Sequence, residues 1–167
     1  MNYWITTHWP PRDFSFHPDP FYYGVWVQDK LQHVTANMQP GDLVFKYESS
    51  TGRSLQVQKP DGIIAIQKCH RGHMGIVAIM IVESVLNGNQ DTEEYTDGTN
   101  ASWCKMATAK GHDTNGFVSL AQLNSLLGFG PKNRMRGFGT AHSGLKQIDK
   151  PTYDRIYAAF KSNKSVV

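Results

Sequence analysis

Three cations crowd into five residues near the C-terminus, Lys132, Arg134 and Arg136, and Gly137, Gly139, Gly144 and Lys146 follow them. Such a segment suits an anion: the cations neutralise phosphates, and glycines let backbone N–H groups come close. A solvated basic loop is the plainer alternative. Cys69-His70-Arg71-Gly72-His73, with Cys104 and His112, holds donor types that zinc accepts. Its second half lacks the tight, recurring spacing of zinc sites, so a polar turn plus a buried thiol is the better reading and no metal is expected. No nucleophile elbow, phosphate-binding Walker loop or dinucleotide fingerprint occurs. Gly137-Phe138-Gly139 does not follow a plain apolar strand, and no carboxylate pair stands out. The chain therefore reads as a binding protein without catalytic residues or cofactor.

Aromatic residues are the other unevenly placed resource. Nine of 19 fall in the first 26 residues: Tyr3, Trp4, Trp9, Phe14, Phe16, Phe21, Tyr22, Tyr23 and Trp26. On a loop they form either a private core or a surface on which bases stack, worth roughly 1–3 kcal/mol per base. Trp4 and Trp103 fall in predicted strands and read as core. Trp26, between a loop and a helix, is open to either role, and Trp9 beside two prolines is hard to place in a core.

Elements must position these residues. Tyr3–Thr6 reads as a short strand, and Pro10, Pro11, Pro18 and Pro20 make 7–25 a loop. A helix is predicted over 28–38, stopped by Pro40-Gly41. Strands follow at 42–48, 62–67, 74–85 and 102–108, with a polar excursion at 49–59 and an acidic loop at 87–101. Ser119-Leu120-Ala121-Gln122 is a capping box opening a short helix that Gly128 stops. Residues 131–146 read as a Gly-rich basic loop or strand, and 151–162 as the last helix. Crossover helices for a parallel βαβ array are missing. The expectation is an α+β fold: a small, curled β-barrel or sheet with peripheral helices.

With 167 residues, the chain fits one domain over 1–160 and a tail over 161–167. Hydrophobic content of 40% against 19% charged residues argues against global disorder. No run approaches a membrane span, and the start lacks a secretory signal, so a cytoplasmic protein is expected. The net charge of +3 is lopsided. Residues 1–97 carry 7 Lys and Arg against 11 Asp and Glu, whereas 98–167 carry 10 against 3. That excess suggests a polyanionic partner.

The order of segments resembles the EVE family, a branch of the PUA-like fold related to YTH domains. Four stretches carry the likeness: Tyr3-Trp4-Ile5-Thr6, the segment from Ala36 through Gly41-Asp42-Leu43-Val44-Phe45 to Tyr47-Glu48-Ser49, Gly75-Ile76-Val77-Ala78-Ile79, and Trp103 with the Val-Ser-Leu helix start. Gly24-Val25-Trp26 resembles the YTH segment whose Trp walls an aromatic cage. The resemblance implies that Trp26 stacks on a flipped, modified base while Thr7 and His8 bond its edge, with Tyr47 and Ser49 in the same base-binding set. A second wall belongs before the Trp103 strand, where Tyr95 stands, with Trp9 or Tyr22 as substitutes. Lys132, Arg134, Arg136 and Lys146 would hold the phosphate backbone. The longer insertion near 50–60 suggests an added hairpin contacting nucleic acid.

The function the resemblance implies is recognition of a modified base in DNA, as the specificity part of a modification-dependent restriction system beside a nuclease or motor protein. An RNA reader is one alternative. Another is a hydrolase of modified cytidine resembling the ASCH group, with Thr6 or Thr7, Lys30 and Glu48 as its residues. A protein-interaction domain using the N-terminal aromatics is a third.

Overall fold

The computed structural model describes residues 1–13, 23–130, 144–164 and 166. Their strands are β1 (Tyr3–His8), β2 (Val25–Gln28), β3 (Leu43–Glu48), β4 (Leu55–Gln58), β5 (Ile64–Gln67), β6 (Gly75–Glu94), β7 (Asn100–Asp113), β8 (Val118–Ser119) and β9 (Leu145–Ile148). Helices α1 (Leu120–Leu126) and α2 (Lys150–Ser162) and a 3-10 helix at Asp29–Thr35 complete the set. A seven-stranded sheet runs β2-β7-β6-β3-β1-β9, with β8 on β6, and β4 and β5 form a separate ribbon. Among the described strands only β1 and β3 pair in parallel. The expected α+β class, a curled sheet with peripheral helices, is the observed one.

Period-two alternation sorts the side chains onto two faces. Ile5, Phe45, Tyr47, Ile76 and Ile79 face α1 and α2, where Leu123, Tyr153, Ile156 and Phe160 cover them. Trp4, Val44, Met80, Val82, Val25, Val27, Cys104, Met106 and Leu145 fill the opposite, concave face. The sheet curls so far that its edge strands meet. A Cβ on Gly144, just before β9, would lie 3.5 Å from the Trp26 carbonyl of β2.

Asp42 explains why a Gly-Asp turn precedes β3. Its buried carboxylate accepts hydrogen bonds from the Asn2 backbone (2.8 Å), the Gln39 backbone (2.9 Å) and the Trp4 indole (3.0 Å). Gly41 holds φ +92°, open to glycine alone without strain. One turn thus fastens β1 to β3.

Two sequence expectations need correction. The acidic stretch 87–101 is mostly not a loop: β6 and β7 remain paired out to Glu94 and Asn100. Register shifts between Val85 and Asn89 let the pair bend past the core. The helix expected over 28–38 is a shorter 3-10 helix, kinked at Leu31 (φ −113°, ψ 19°). The capping expectation for α1 is met by Ser119, whose Oγ accepts from the Gln122 backbone, but Gln122 Oε1 instead accepts from Asn163.

Candidate nucleic-acid interface

Because β1 and β3 are parallel, their C-terminal ends lie on one rim of the curled sheet, with the start of β6 and of β9 beside them. The rim opens with a change of polarity along the concave face. On β1 the inward series is Trp4, Thr6, His8, and on β3 it is Val44, Lys46, Glu48. All four polar members are buried. Burying such groups is costly unless they are bonded. Thr6 Oγ1 donates to the Gly144 carbonyl at 3.0 Å, and His8 Nε2 bonds the Gly24 carbonyl at 3.1 Å. Glu48 Oε1 accepts from both the His73 backbone (3.0 Å) and His73 Nδ1 (2.8 Å). The Lys46 ammonium lies 5.4 Å from the Tyr23 ring centroid. A small cleft of about 50 Å³ is lined here by Pro11, Tyr23, Lys46, Glu48, Val77, Ala78 and Thr114.

Trp26 stands on the outer side of the same rim. Its β2 neighbours Val25 and Val27 point into the core, so its half-buried ring points out, beside its register partner Lys105. The Lys105 ammonium is 5.6 Å from the Trp26 ring centroid, a cation–π contact. Thr7 adjoins through Gly144, whose carbonyl takes the Thr7 N–H at 2.7 Å. The Thr7 hydroxyl is buried and finds no hydrogen-bond partner among the described residues. Lys146, exposed on β9 two residues after Gly144, adds a cation to this edge. Gly144 is also where the chain arrives from the basic segment. Lys132, Arg134 and Arg136, like Tyr22, lie outside the described residues.

Several residues named as base contacts sit elsewhere. Tyr95 is 2% exposed, and its ring is enclosed: Trp9 meets it edge-on at 5.6 Å, the Arg53 guanidinium lies 4.7 Å from its centroid, and its hydroxyl accepts from the Trp103 indole at 3.0 Å. It offers no face to a base. Trp9 is half-buried in the same cluster, 5.8 Å from Trp103 with Arg12 over its ring at 5.3 Å. Its difficult setting beside two prolines is resolved by a small satellite core. Tyr47 is buried under the helices, on the opposite face from His8, and burial pushes its hydroxyl pKa up to about 12. Ser49 stays at the rim but spends its hydroxyl on the His8 and Thr51 carbonyls. Lys30 is exposed on the 3-10 helix and has no hydrogen bond or ion pair to Thr6, Thr7 or Glu48, so that proposed trio is not assembled. Cys69 Sγ donates to the Pro10 carbonyl and Cys104 Sγ to Asp29, and among the described residues no three metal-ligating side chains converge.

Sequence reasoning overlooked Lys46. Lys46 shares its face of β3 with Val44 and Glu48, and nothing local marks that mixed face as the inward one. Sequence reasoning also overlooked Lys105, because the pairing of β2 with β7 that seats it over Trp26 is not local.

No protein-family model matches the chain, and no curated protein matches it in sequence. Among solved structures, the chain is similar to the human THYN1 protein, solved in complex with 5-methylcytosine-containing DNA. The identity is 13%, the TM-score 0.47, and the match covers 95% of this chain and 96% of that one. A likeness of that size carries no inference about what this chain binds.

Proposed function

We propose that this chain is a nucleic-acid-binding module that takes a modified base on the outer side of the rim, with Trp26 as the stacking wall and Thr7 at the base edge, while the His8 ring turns inward to the Gly24 carbonyl. The observation that carries the reading is one juxtaposition. A half-exposed Trp26 flanked by Lys105, the Thr7 hydroxyl, which has no hydrogen-bond partner among the described residues, and the exposed Lys146 of β9 all lie around Gly144. Stacking, an edge donor and phosphate cations are the three things such recognition requires. DNA is the proposed strand and 5-methylcytosine, 5-hydroxymethylcytosine or N6-methyladenine the class of mark, by the EVE resemblance. By the same resemblance, the partner we propose is a nuclease or motor protein of a modification-dependent restriction system. A methyl group buries only about 0.8 kcal/mol of apolar surface, so discrimination must come mainly from pocket shape. The test is fluorescence anisotropy on matched duplexes and single strands carrying each mark. Wild type should prefer one mark, and Trp26→Ala should lose that preference. Equal preference in Trp26→Ala would remove the cage assignment.

A second reading, hydrolysis of a modified cytidine, is favoured by one observation: Lys46 and Glu48 line one cleft, with Thr6 next to them across the β1–β3 pairing. Turnover of acylated cytidines that vanished in Lys46→Ala would select it over pure binding.

A further inference from the structure

The β4–β5 ribbon turns its isoleucines outward. Ile64 and Ile66 of β5 are 65% and 58% exposed, and Ile63, at the turn, is 62% exposed. Their strand neighbour Gln67 is buried. The inner face, made by the pairs Leu55–Gln67 and Val57–Ala65, turns toward the body, where Leu55 bridges to Tyr95. The outer face is made by Gln56–Ile66 and Gln58–Ile64. A one-residue change of register would reverse the faces. The observed register therefore presents isoleucines to whatever lies outside.

The surroundings say what that is. Residues 53–71 contain Arg53, Lys59, Lys68 and Arg71 against a single acid, Asp61. They form a basic island in an N-terminal half that is otherwise acidic. The Asp61 carboxylate is turned back on the ribbon's own turn, accepting from the Ile63 backbone at 3.0 Å. Pro60, Asp61 and Gly62 (φ +85°) keep that turn tight, with Lys59 N–H bonded to the Ile63 carbonyl at 2.9 Å. The ribbon also springs from the rim of the proposed interface. Ser49 N–H bonds the His8 carbonyl, and Gly72 N–H bonds the Ser50 carbonyl to close its base.

We propose that the β4–β5 ribbon is a wedge that enters a groove of a B-form DNA duplex, with Ile63 at its tip pressed against a base step. Arg53, Lys59, Lys68 and Arg71 lie along the phosphates. A two-stranded ribbon fits the B-DNA major groove, and apolar side chains at base steps lower the cost of unstacking a duplex. A wedge of this kind supplies what a rim that accepts an extruded base lacks: something to open the stack. The proposal rests on the nucleic-acid reading above.

The test compares wild type with the surface variant Ile63→Ser/Ile64→Ser/Ile66→Ser. Anisotropy is measured on cytosine, 5-methylcytosine and N6-methyladenine oligonucleotides, each as DNA duplex, DNA single strand and RNA duplex. The wedge acts only where a stack must be opened, so the variant should lose about tenfold or more on the DNA duplex and nothing on the single strand. Equal affinity of variant and wild type for duplex, or equal loss on both forms, overturns the wedge and leaves the nucleic-acid reading standing. The same holds for a loss larger on RNA duplex than on DNA duplex. If wild type binds none of these strands at low salt, both readings fall. Wild-type self-association that the variant abolishes would make the ribbon a strand-pairing surface for a second copy, which also overturns the wedge.

Discussion

Arg12 and Glu93 form the ion pair on which the ribbon and the aromatic cluster depend. Each is only 6% exposed, and Arg12 Nη2 donates to Glu93 Oε2 at 3.0 Å. Arg12 Nε also donates to the Arg53 carbonyl at 2.9 Å, and its guanidinium covers the Trp9 ring. Removing Glu93 leaves a buried cation with half its partners. Breaking a buried pair from one side costs about 3–5 kcal/mol. With a urea m-value of roughly 2 kcal/mol/M, Glu93→Ala should lower the unfolding midpoint by about 1.5–2.5 M. Arg12→Met should cost a comparable amount. The double variant Arg12→Met/Glu93→Leu should cost less than either single one, because an apolar pair can replace a buried ion pair at little loss. Urea unfolding followed by tryptophan fluorescence reads all three, since Trp9 and Trp103 report on the cluster. A midpoint shift below about 0.5 M for Glu93→Ala, or strictly additive losses in the double variant, would show that the pair does not brace this end of the fold.

Three further outcomes follow from the same structure. Burial pushes Tyr47 and Tyr153 up to about 12, so their phenols remain protonated when exposed tyrosines ionise. The stability they contribute is complete below about pH 10 and is lost as pH rises through 12, which phenolate absorbance alongside circular dichroism will register as late titration coupled to unfolding. Gly72→Ala places a Cβ 1.9 Å from the Ser49 carbonyl oxygen and should displace the ribbon base, costing about 1–3 kcal/mol in urea unfolding. An unchanged midpoint would mean the base has slack. Asp149 caps α2, and hydrogen bonds from Thr152 hold its carboxyl below the usual range. Its contribution is present above the ordinary carboxylate pKa and fades as pH falls below it, so Asp149→Ala should flatten the acid limb of the stability–pH profile.

Much of the scaffold was readable because local pattern and tertiary burial agree there. Leu43–Glu48 alternates as a strand with two useful faces, Tyr153, Ile156 and Phe160 repeat at helical spacing, and Ser119 announces α1. The β6–β7 arm was not readable, since Asn87–Glu94 is held by ladder bonds and by Arg12 rather than by an apolar stripe. Of the candidate site, Trp26 and Thr7 come to the outer side of one rim, whereas His8 turns its ring inward to the Gly24 carbonyl. Tyr95 and Trp9 do not join them, because each finds the other before it could find a base. That choice depends on the Arg12–Glu93 pair, which joins residues 81 apart in sequence. Lys46 was hidden because which face of β3 turns inward is set by the pairing of β3 with β1 and β6, not by the strand's own sequence.

Whether the rim around Gly144 holds a modified base against Trp26 is decided by one comparison. Wild type and Trp26→Ala are titrated against duplexes identical except for one cytosine, 5-methylcytosine, 5-hydroxymethylcytosine, adenine or N6-methyladenine, at low and moderate salt. Both proteins should bind in a salt-sensitive way, and wild type should show a preference for one mark that Trp26→Ala loses, at a cost of about 1–3 kcal/mol for the preferred duplex. A preference that survives Trp26→Ala, or no binding by wild type at low salt, would contradict that role of the rim.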